Sequence, residues 1–483
     1  MSNQSEYSNS LLITHHSFSM KMKIRRTYKV CCLIAVAIAA IQVACKKYDQ
    51  TYSTEDSEWL SGGAQTVYDQ NSSSFSHVFP TLAEGLERVH EIGDIQFEAT
   101  FVSAPAPTNP GRGPLFNNVS CASCHIGDGR GKVPGTGDTS VLMLFRISIA
   151  GENEHGGPNP VPGFGDQVQN RSTVGVAKEA DVNIAYNEQT FYFDDGTAYK
   201  LRFPAYTLNN AYTSFPGNAM LSPRVAAPVF GLGLLEAVSD ADILSRVDEN
   251  DANGDGISGK ANYVWNAVKS TTTLGRFGWK ANQPSLLQQV AAAYNGDIGV
   301  TTSVFPKESS YGQPQYDGRG DDPELTDSLL YAVEFYVKTL AVPVRRNAAD
   351  DAVKQGKQLF IQSGCASCHM PDLHTAVNVT FPAVSNQLIH PYTDLLLHDM
   401  GADLADNRPD FKATGTEWRT APLWGIGLTQ KVNGHNNFLH DGRARSLLEA
   451  TMWHGGEAEA SRNKVKAMSA ADRNALIKFL ESL

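Results

Sequence analysis

The sequence predicts a mainly α-helical protein with two similar domains in tandem, the first enlarged by an insertion that contains a β-hairpin. Two observations lead to this prediction. The pentapeptide Cys-Ala-Ser-Cys-His occurs twice, at residues 121–125 and 365–369. Other short segments recur in the same order around the two copies, and apolar residues follow each copy at helical spacing. Such a pattern indicates an internal duplication.

Each pentapeptide has the spacing that attaches haem c covalently. Two thiols separated by two residues can bond to the two vinyl groups of one haem, and the next histidine then lies under the iron. A thioredoxin-like dithiol has no use for this histidine, and a four-cysteine zinc site would have to join two distant pairs. We therefore expect two covalently bound haem c groups, one at Cys121, Cys124 and His125 and the other at Cys365, Cys368 and His369.

The segments around the two motifs correspond to each other. Leu115-Phe116 precedes the first motif by the same distance as Leu359-Phe360 precedes the second, and we interpret each pair as part of the first helix of a class I cytochrome c-like domain. Three later matches pair residues 227–234 with 421–428, 285–287 with 446–448, and a helical pattern at 330–340 with one at 476–483. Four matches in one order predict two tandem domains.

This organisation divides the chain into five parts. They are a signal peptide at 1–44, a tether and lead-in at 45–109, a first domain at 110–343, a linker at 344–352 and a second domain at 353–483. Aromatic residues alternate with others on both sides of Asp195-Gly196, and they predict the β-hairpin of the insertion.

The first residues predict export and a membrane anchor. Five basic residues precede a short apolar run at 30–44, which is typical of a signal peptide and too short to span a bilayer comfortably. Ala44-Cys45 resembles a bacterial lipobox, although Gln42 departs from it, and ordinary cleavage near Ala44 is the alternative. The other six cysteines lie in the signal or the haem motifs, so Cys45 has no partner for a disulfide. We expect a lipoprotein on the periplasmic side of a bacterial membrane or at the cell surface.

The charge of the chain indicates which partners it can bind. Loss of residues 1–44, with five basic residues and one acidic residue, would change the formal net charge from -11 to -15. An acidic surface repels phosphate backbones, so we expect no nucleic acid partner. It suits a basic or dipolar electron donor, such as a small c-type cytochrome or a cupredoxin.

From about residue 110 to its end, the chain resembles the di-haem oxidoreductase family, which is related to the bacterial di-haem cytochrome c peroxidases. The resemblance lies in residues 113–116, 255–259, 274–280, 394–401, 418–424 and 439–444. The family is often labelled thiol oxidoreductase. That label does not fit the chemistry, because thioether bonds to haem would use both cysteines of each motif.

The resemblance implies a sixth ligand for the second iron. In the peroxidases a His-Asp-Gly turn, here residues 440–442, starts a helix that carries this ligand at the spacing from Asp441 to His454. His454 is therefore the expected ligand, with His398 and Met400 as alternatives.

The first domain does not offer the same ligand. Ser285 corresponds to Ser446, so that Ala293 takes the place of His454, or Tyr294 does after a shift of one residue. Alanine cannot bind iron, and we expect the first haem to keep an open position.

The resemblance also implies catalytic side chains around the first haem. Asp297 corresponds to the peroxidatic carboxylate, which would move a proton between the two oxygens of peroxide; a turn-capping role is the alternative. Gln288 or Gln289 corresponds to an assisting glutamine. Trp279 lies where the family keeps a tryptophan between the haems, with a plain core indole as the alternative.

A loop at residues 251–262 is similar to the EF-hand calcium loop. Its candidate ligands are Asp251, Asn253, Asp255, the carbonyl of Ile257, and Asn262 at the twelfth position. The usual terminal glutamate is missing, and a polar surface turn is the alternative. The related di-haem peroxidases bind calcium between their haems, so the resemblance favours calcium as a further cofactor but does not locate it in this loop.

Together these features predict a peroxidase. It would reduce hydrogen peroxide at the first haem with electrons that enter at the second haem and pass near Trp279. A non-catalytic electron-transfer cytochrome is one alternative, and a di-haem enzyme that oxidises a protein partner is another.

Overall fold

A computed structural model describes residues 57–137 and 142–483, and Ser57–Leu483 forms one unit. The predicted signal peptide and the predicted lipidation site, Cys45, lie outside the described residues. Among the helices of the described residues, none is both long and apolar enough to cross a membrane.

Ten short α-helices lie within the described residues. They are α1 (Glu87–Glu98), α2 (Leu232–Glu236), α3 (Asp240–Leu244), α4 (Leu286–Ala293), α5 (Asp327–Lys338), α6 (Asp351–Gln362), α7 (Thr429–Asn433), α8 (Leu447–Met452), α9 (Glu459–Ala467) and α10 (Ala470–Ser482). A π-helical turn, Tyr294–Ile298, continues α4.

The strands form small sheets of two or three members. They are β1 (Thr66–Val67), β2 (Leu115–Phe116), β3 (Met143–Glu152), β4 (Pro158–Asn159), β5 (Arg171–Ser172), β6 (Asp181–Tyr192), β7 (Ala198–Asn209), β8 (Met220–Val225), β9 (Tyr263–Asn266), β10 (Thr271–Leu274), β11 (Val342–Pro343), β12 (Leu373–His374), β13 (Leu388–Ile389), β14 (Leu397–Asp399) and β15 (Glu417–Arg419). The largest sheet has the order β4-β3-β8, and β6 pairs with β7 as a long antiparallel hairpin.

The prediction of a mainly α-helical, cytochrome c-like fold is wrong. The described chain has 27% helix and 19% strand. Much of the strand lies in the insertion, where Met143, Phe145 and Ile147 point to one face of β3 and pack in a separate apolar core with Val168 and Val182. Alternate apolar residues bury one face of a strand, so this segment forms a sheet instead of extending the helical domain.

Two helix pairs repeat in the two halves. Helix α1 packs against α5, and α6 packs against α10. A glycine permits each close approach, because a side chain at Gly93 would meet the Ala332 carbonyl at 2.0 Å and one at Gly356 would meet the Ala475 carbonyl at 2.0 Å. The predicted helices near residues 330–340 and 476–483 are thus confirmed as α5 and α10.

The predicted first helix of the first half is in the wrong place. Leu359 and Phe360 lie in α6 as expected, but Leu115 and Phe116 form β2. Phe97 of α1 takes the position of Phe360, since its ring lies 6.1 Å from that of His125 and Phe360 lies 6.4 Å from His369. Residues 99–120, which include β2, separate α1 from the cysteines. The two Leu-Phe pairs lie at the same distance before the two motifs, but only the second pair lies in a helix.

The two halves meet through a reciprocal contact. Gly231 and Gly425 occupy equivalent places in the matched segments, and both have a left-handed backbone with φ of 71°. A side chain at Gly231 would meet the Trp424 ring at 2.5 Å, and one at Gly425 would meet the Phe230 ring at 2.5 Å. Each aromatic ring thus packs over the glycine of the other half.

The predicted linker and part of the predicted tether are packed into the protein. Arg345, in the linker, is buried and donates to Glu58 Oε2 at 2.7 Å. Thr66 and Val67 of β1 pair in parallel with Val342 and Pro343. The domain boundaries given above remain predictions.

The hairpin of β6 and β7 confirms the predicted one and reaches the second half. The Phe203 ring meets the Trp453 ring edge-on at 4.7 Å between centroids. Beside it, the Arg202 backbone N–H donates to Glu449 Oε1 at 3.0 Å, and the Arg202 guanidinium donates to the Gly442 and Arg443 carbonyls at 2.8 and 3.0 Å. The insertion of the first half therefore holds helix α8, and the residues that follow this helix, in place.

Phe203→Ala should lower the free energy of unfolding of the haem-loaded protein by about 2 kcal/mol, because it removes a half-buried ring from the contact with Trp453. Urea denaturation followed by circular dichroism measures the change. Tyr192→Ala is the control, since Tyr192 lies on the same hairpin with 60% of its surface exposed. Equal effects of the two substitutions would show that the hairpin does not support the second half through Phe203.

Candidate active site

The first candidate haem site is a cavity of about 240 Å³ that contains the motif at residues 121–125. The His125 Nδ1–H donates to the Ala227 carbonyl at 2.8 Å, which fixes the ring and leaves Nε2 as the ligand atom. Burial lowers the pKa of His125 to about 4, so the ring is neutral at pH 7, as an iron ligand must be.

The second candidate site, a cavity of about 190 Å³, is built in the same way around residues 365–369. The His369 Nδ1–H donates to the Tyr392 carbonyl at 3.0 Å. Burial, and then the nearby His454, lower the pKa of His369 to about 4. Each motif thus presents one neutral, oriented imidazole to its cavity.

His454 lies across the second cavity from His369. Its Nδ1–H donates to the Ala450 carbonyl at 2.8 Å, so its Nε2 is also the free ring nitrogen. The centroids of the two imidazole rings are 6.5 Å apart. Two metal–nitrogen bonds of about 2 Å together with the radii of two rings span about 6.3 Å. The pair therefore fits one iron between two histidines.

The alternative ligand His398 is already engaged on both ring nitrogens. Nε2 lies 2.8 Å from Asp394 Oδ2, and Nδ1 lies 2.8 Å from Glu457 Oε2. Burial alone would lower the pKa of His398, but these hydrogen bonds raise it to about 12. A protonated imidazole has no lone pair for iron, so His398 is not a suitable ligand. Met400 also lines the cavity.

The first cavity has no comparable residue at the matching position. The Ser285 and Ser446 side chains cap equivalent helices, accepting the N–H of Gln288 at 3.3 Å and of Glu449 at 3.0 Å. Counted from these caps, Ala293 takes the place of His454, and Ala293 lines the first cavity. Tyr294 instead packs in the core, where Phe101 meets it edge-on at 5.6 Å. The shifted alignment that would make Tyr294 the ligand is therefore disfavoured.

Asp297 lies on the cavity wall one further turn along, beyond Ala293. Its Oδ1 accepts a hydrogen bond from Gln167 Nε2 at 2.9 Å. Burial raises the pKa of Asp297, although the nearby Arg146 cation and the Gln167 hydrogen bond oppose the shift. Arg146 lines the same cavity. A carboxyl with a raised pKa beside an open cavity is a candidate for holding and releasing a proton.

The structure separates the two candidate glutamines. Gln289 lines the first cavity with Ala293 and Asp297, as residues four apart on one helix face do. Gln288 points away, because its Oε1 accepts the Ala267 N–H at 2.8 Å and its Nε2 donates to the Trp265 carbonyl at 3.1 Å. Gln288 therefore joins α4 to β9.

Trp279 borders both cavities. Its Nε1–H donates to the Val225 carbonyl at 2.9 Å, and its own carbonyl accepts the Arg419 N–H at 2.9 Å. The shared wall, as we name it, consists of Trp279, Arg130, Arg419, Ala421, Pro422 and Ile426, which all border both cavities.

Arg130 is buried in the shared wall, and Arg419 is half-buried there with the Asp394 charge near enough to raise its pKa. Burial lowers the pKa of each guanidinium to about 10. Among the ion pairs of the described residues neither one has a carboxylate partner; Arg130 instead donates to the Leu439 carbonyl at 2.9 Å and Arg419 to the Gly278 carbonyl at 2.9 Å. A buried cation needs an anion nearby. The propionate groups of haem would supply it, so the residues present fit the predicted cofactor.

Sequence reasoning missed Gln167, Arg146, Arg130 and Arg419. Arg419 lies in segment 418–424, which resembles the family, but nothing in that segment indicates its role, and the other three lie outside the resembling segments. Isolated buried arginines are rare, but burial is known only from the fold.

The four cysteines of the motifs are poor candidates for dithiol chemistry. Burial raises the pKa of Cys121 to about 12, of Cys124 to about 11 and of Cys365 to about 12. Thiol–disulfide exchange needs an accessible thiolate. The structure gives no support to a thiol oxidoreductase.

The loop predicted to bind calcium is divided in the structure. Asp251 accepts the backbone N–H of Asp255 at 2.9 Å, and Asp255 accepts that of Ile257 at 2.9 Å, so these two carboxylates and Asn253 lie in one exposed turn. Asn262 is buried, and its amide bonds to the Lys280 carbonyl at 2.7 Å and the Lys412 N–H at 2.9 Å. Asn262 is thus engaged elsewhere, and calcium binding by the others remains a prediction.

A comparison with protein families finds one match. The model of the family described as "Di-haem oxidoreductase, putative peroxidase" matches residues 56–483. No curated protein and no solved structure matches the chain.

Replacement of His454 by alanine should convert the second haem from low spin to high spin, because the substitution removes the nitrogen opposite His369. Optical and electron paramagnetic resonance spectra of the oxidised protein measure the change. Met400→Ala is the control and should leave the spectra as they are. The opposite result, with only the methionine variant changing, would make Met400 the ligand.

Arg130→Gln should lower the reduction potentials of both haems. A buried cation in the shared wall favours the reduced iron, which carries one positive charge less. Spectroelectrochemical titration measures both potentials. Arg462→Gln is the control, since Arg462 borders the second cavity but pairs with Glu459 and is closer to solvent. If Arg462→Gln shifted the potentials as much as Arg130→Gln, the shared wall would have no special electrostatic role.

Proposed function

The chain belongs to the di-haem oxidoreductase family, and from this premise we propose that it is a peroxidase that reduces hydrogen peroxide at its first haem site. One observation carries the proposal: the two sites are alike on the side of the attached histidine and different on the other side. His454 faces His369 at 6.5 Å between ring centroids, whereas Ala293 stands at the equivalent position in the first site. One site is closed by two histidines, and the other has room for a small molecule.

We propose that both cofactors are haem c, attached through Cys121 and Cys124 in the first site and through Cys365 and Cys368 in the second. The raised pKa values of the half-buried thiols and the neutral proximal histidines support this assignment. When bound, such haems would supply reversible one-electron chemistry and an iron that can bind peroxide. The remaining steps belong to the side chains of the protein.

Asp297 is the proposed acid–base group. Its raised pKa would let it accept the proton of one peroxide oxygen and return it to the other, so that water leaves in place of hydroxide. Gln167 holds the carboxylate through its Nε2, and Gln289 lines the same face as Asp297. The Arg146 cation is close enough to act on the charge of Asp297, and it would stabilise negative charge on the departing oxygen.

The electron path is proposed to cross the shared wall. Trp279 touches both cavities, and the Arg130 guanidinium lies 5.2 Å from its ring centroid. Each turnover consumes one hydrogen peroxide, two electrons and two protons and yields two waters. A small c-type cytochrome or a cupredoxin would donate the electrons at the second site. We propose that this takes place at the outer face of a bacterial membrane, where a lipid on Cys45 would hold the protein.

Asp297→Asn should lower kcat for peroxide reduction by about 10²–10⁴-fold, because the amide cannot take up and return the proton. Stopped-flow oxidation of a reduced electron donor by peroxide measures the rate. Asp166→Asn is the control, since the Asp166 side chain is 62% exposed and also lies near Arg146.

The wild-type protein also tests the function as a whole. If the half-reduced protein, with both haems attached, shows no reaction with peroxide and no high-spin iron, the proposal fails. An electron-transfer cytochrome would then be the function that remains.

A further inference from the structure

A buried polar cluster lies behind Asp297, on the side away from the cavity. Gln167 and Gln169 are each 2% exposed, and Glu179 is fully buried. All three come from the insertion of the first half. The proposed peroxidase mechanism so far uses only Gln167, so the role of the other two is open.

The glutamines connect Asp297 with the interior of the insertion. Gln167 Nε2 shares its two hydrogens among three acceptors, Asn117 Oδ1 at 2.7 Å, Asp297 Oδ1 at 2.9 Å and the Gly296 carbonyl at 3.0 Å. Gln169 Nε2 donates to the same Gly296 carbonyl at 3.0 Å and to Ser309 Oγ at 2.8 Å. The two side chains, two residues apart on one strand-like segment, thus converge on the backbone next to Asp297.

Glu179 is hydrogen-bonded to the second of these glutamines. Its Oε2 accepts the Gln169 backbone N–H at 2.6 Å, and the nearby Gln313 side chain also favours the charged carboxylate. Burial raises the pKa of Glu179 to about 8, against these hydrogen bonds. Few titratable groups lie near Glu179. The Asp166 carboxylate raises the pKa of Glu179 further, and the Tyr212 hydroxyl lies close to it. Glu179 is therefore a buried acid that carries a proton at neutral pH.

Several oxygens of this cluster have no hydrogen-bond donor in the described protein. They are Gln167 Oε1, Glu179 Oε1 and Gln313 Oε1, and all are buried atoms. An unsatisfied buried polar atom is costly, and groups of them are the usual sites of ordered water. These oxygens belong to the cluster that includes Glu179 and contacts Asp297. Water molecules bound to them would be able to carry protons between the two acids. Solvent can reach the outer end of this cluster, because Ser309 and Gln313 are both only half-buried.

We propose that Glu179, Gln169 and Gln167 form a proton-supply path that leads from solvent at Ser309 and Gln313 to Asp297. This inference rests on the proposed peroxidase function. Each turnover takes up two protons at the first site, where Asp297 lines the cavity and Gln167 contacts it from the insertion. Glu179 would give its proton through water at Oε1 toward Asp297, and solvent would then return a proton to Glu179.

A purely structural role for Glu179 makes a different prediction. Glutamine has the same shape and can accept the Gln169 N–H, so Glu179→Gln would preserve a structural contact but would remove the proton. Removal of the acid should not harm the fold. The raised pKa means that the folded chain holds this proton between pH 4.5 and about 8 while the unfolded chain loses it. Glu179 therefore contributes to a fall in stability as the pH rises through this window, together with Asp128, Glu308 and Glu324, and Glu179→Gln removes only its own share.

The first test measures turnover. Glu179→Gln should lower kcat for peroxide reduction by about tenfold or more, raise the solvent deuterium isotope effect, and be rescued by high concentrations of a small weak acid. Glu324→Gln is the matched control, because Glu324 is half-buried with a pKa of about 7 and bonds to Thr301 instead. Wild-type kcat and isotope effect in Glu179→Gln would overturn the path.

The second test does not depend on peroxide chemistry. After a pH jump, time-resolved infrared spectroscopy follows protonation of the Asp297 carboxyl, identified by its loss in Asp297→Asn. Protonation should be at least about tenfold slower in Glu179→Gln than in wild type and in Glu324→Gln. Equal rates would overturn the path even if the protein is a peroxidase. A slower rate in a protein that does not reduce peroxide would leave the path standing and reject the proposed function.

Discussion

The charge of two arginines between the cavities, Arg130 buried and Arg419 half-buried, is the constraint on which the rest of the structure depends. Arg130 and Arg419 lie in the shared wall between the two cavities, and neither has a carboxylate partner among the ion pairs of the described residues. An unbalanced buried cation would oppose folding, so the wall is suited to a protein that holds anionic cofactors on both sides. The same wall contains Trp279 and lies where the two halves meet. Cofactor binding, contact between the halves and electron transfer therefore depend on one set of residues.

The two halves share the elements that would support a haem, but they differ in the side chain that would face the haem on the side opposite the attached histidine. Both halves have a helix pair that crosses at a glycine, a serine that caps the distal helix, and a proximal histidine held by a backbone carbonyl. One difference lies in the next turn, where His454 stands in one half and Ala293 in the other. A few side chains on similar scaffolds are thus enough to distinguish a site suited to electron storage from a site suited to peroxide reduction.

The insertion explains why the fold is not that of a cytochrome c repeated twice. Its hairpin packs Phe203 on Trp453, next to His454, and its inner residues place Gln167 on Asp297. One added segment therefore supports the closed site and supplies polar groups to the open one. Its strands account for much of the strand content that the sequence prediction did not include.

Local spacing determined what the sequence alone could predict. The haem motifs, the β6–β7 hairpin and the helices α5 and α10 follow from residues a few positions apart, and the contrast between His454 and Ala293 follows from the family resemblance and the internal duplication. The rest depended on contacts between distant segments. Helix α1 begins 34 residues before Cys121, so that Phe97 and not Phe116 packs near His125. The choice of Gln289 over Gln288 follows from which helix face meets the cavity. The pairing of Gln167 with Asp297 joins residues 130 positions apart. Burial and long-range packing decide these contacts, and no local pattern encodes them.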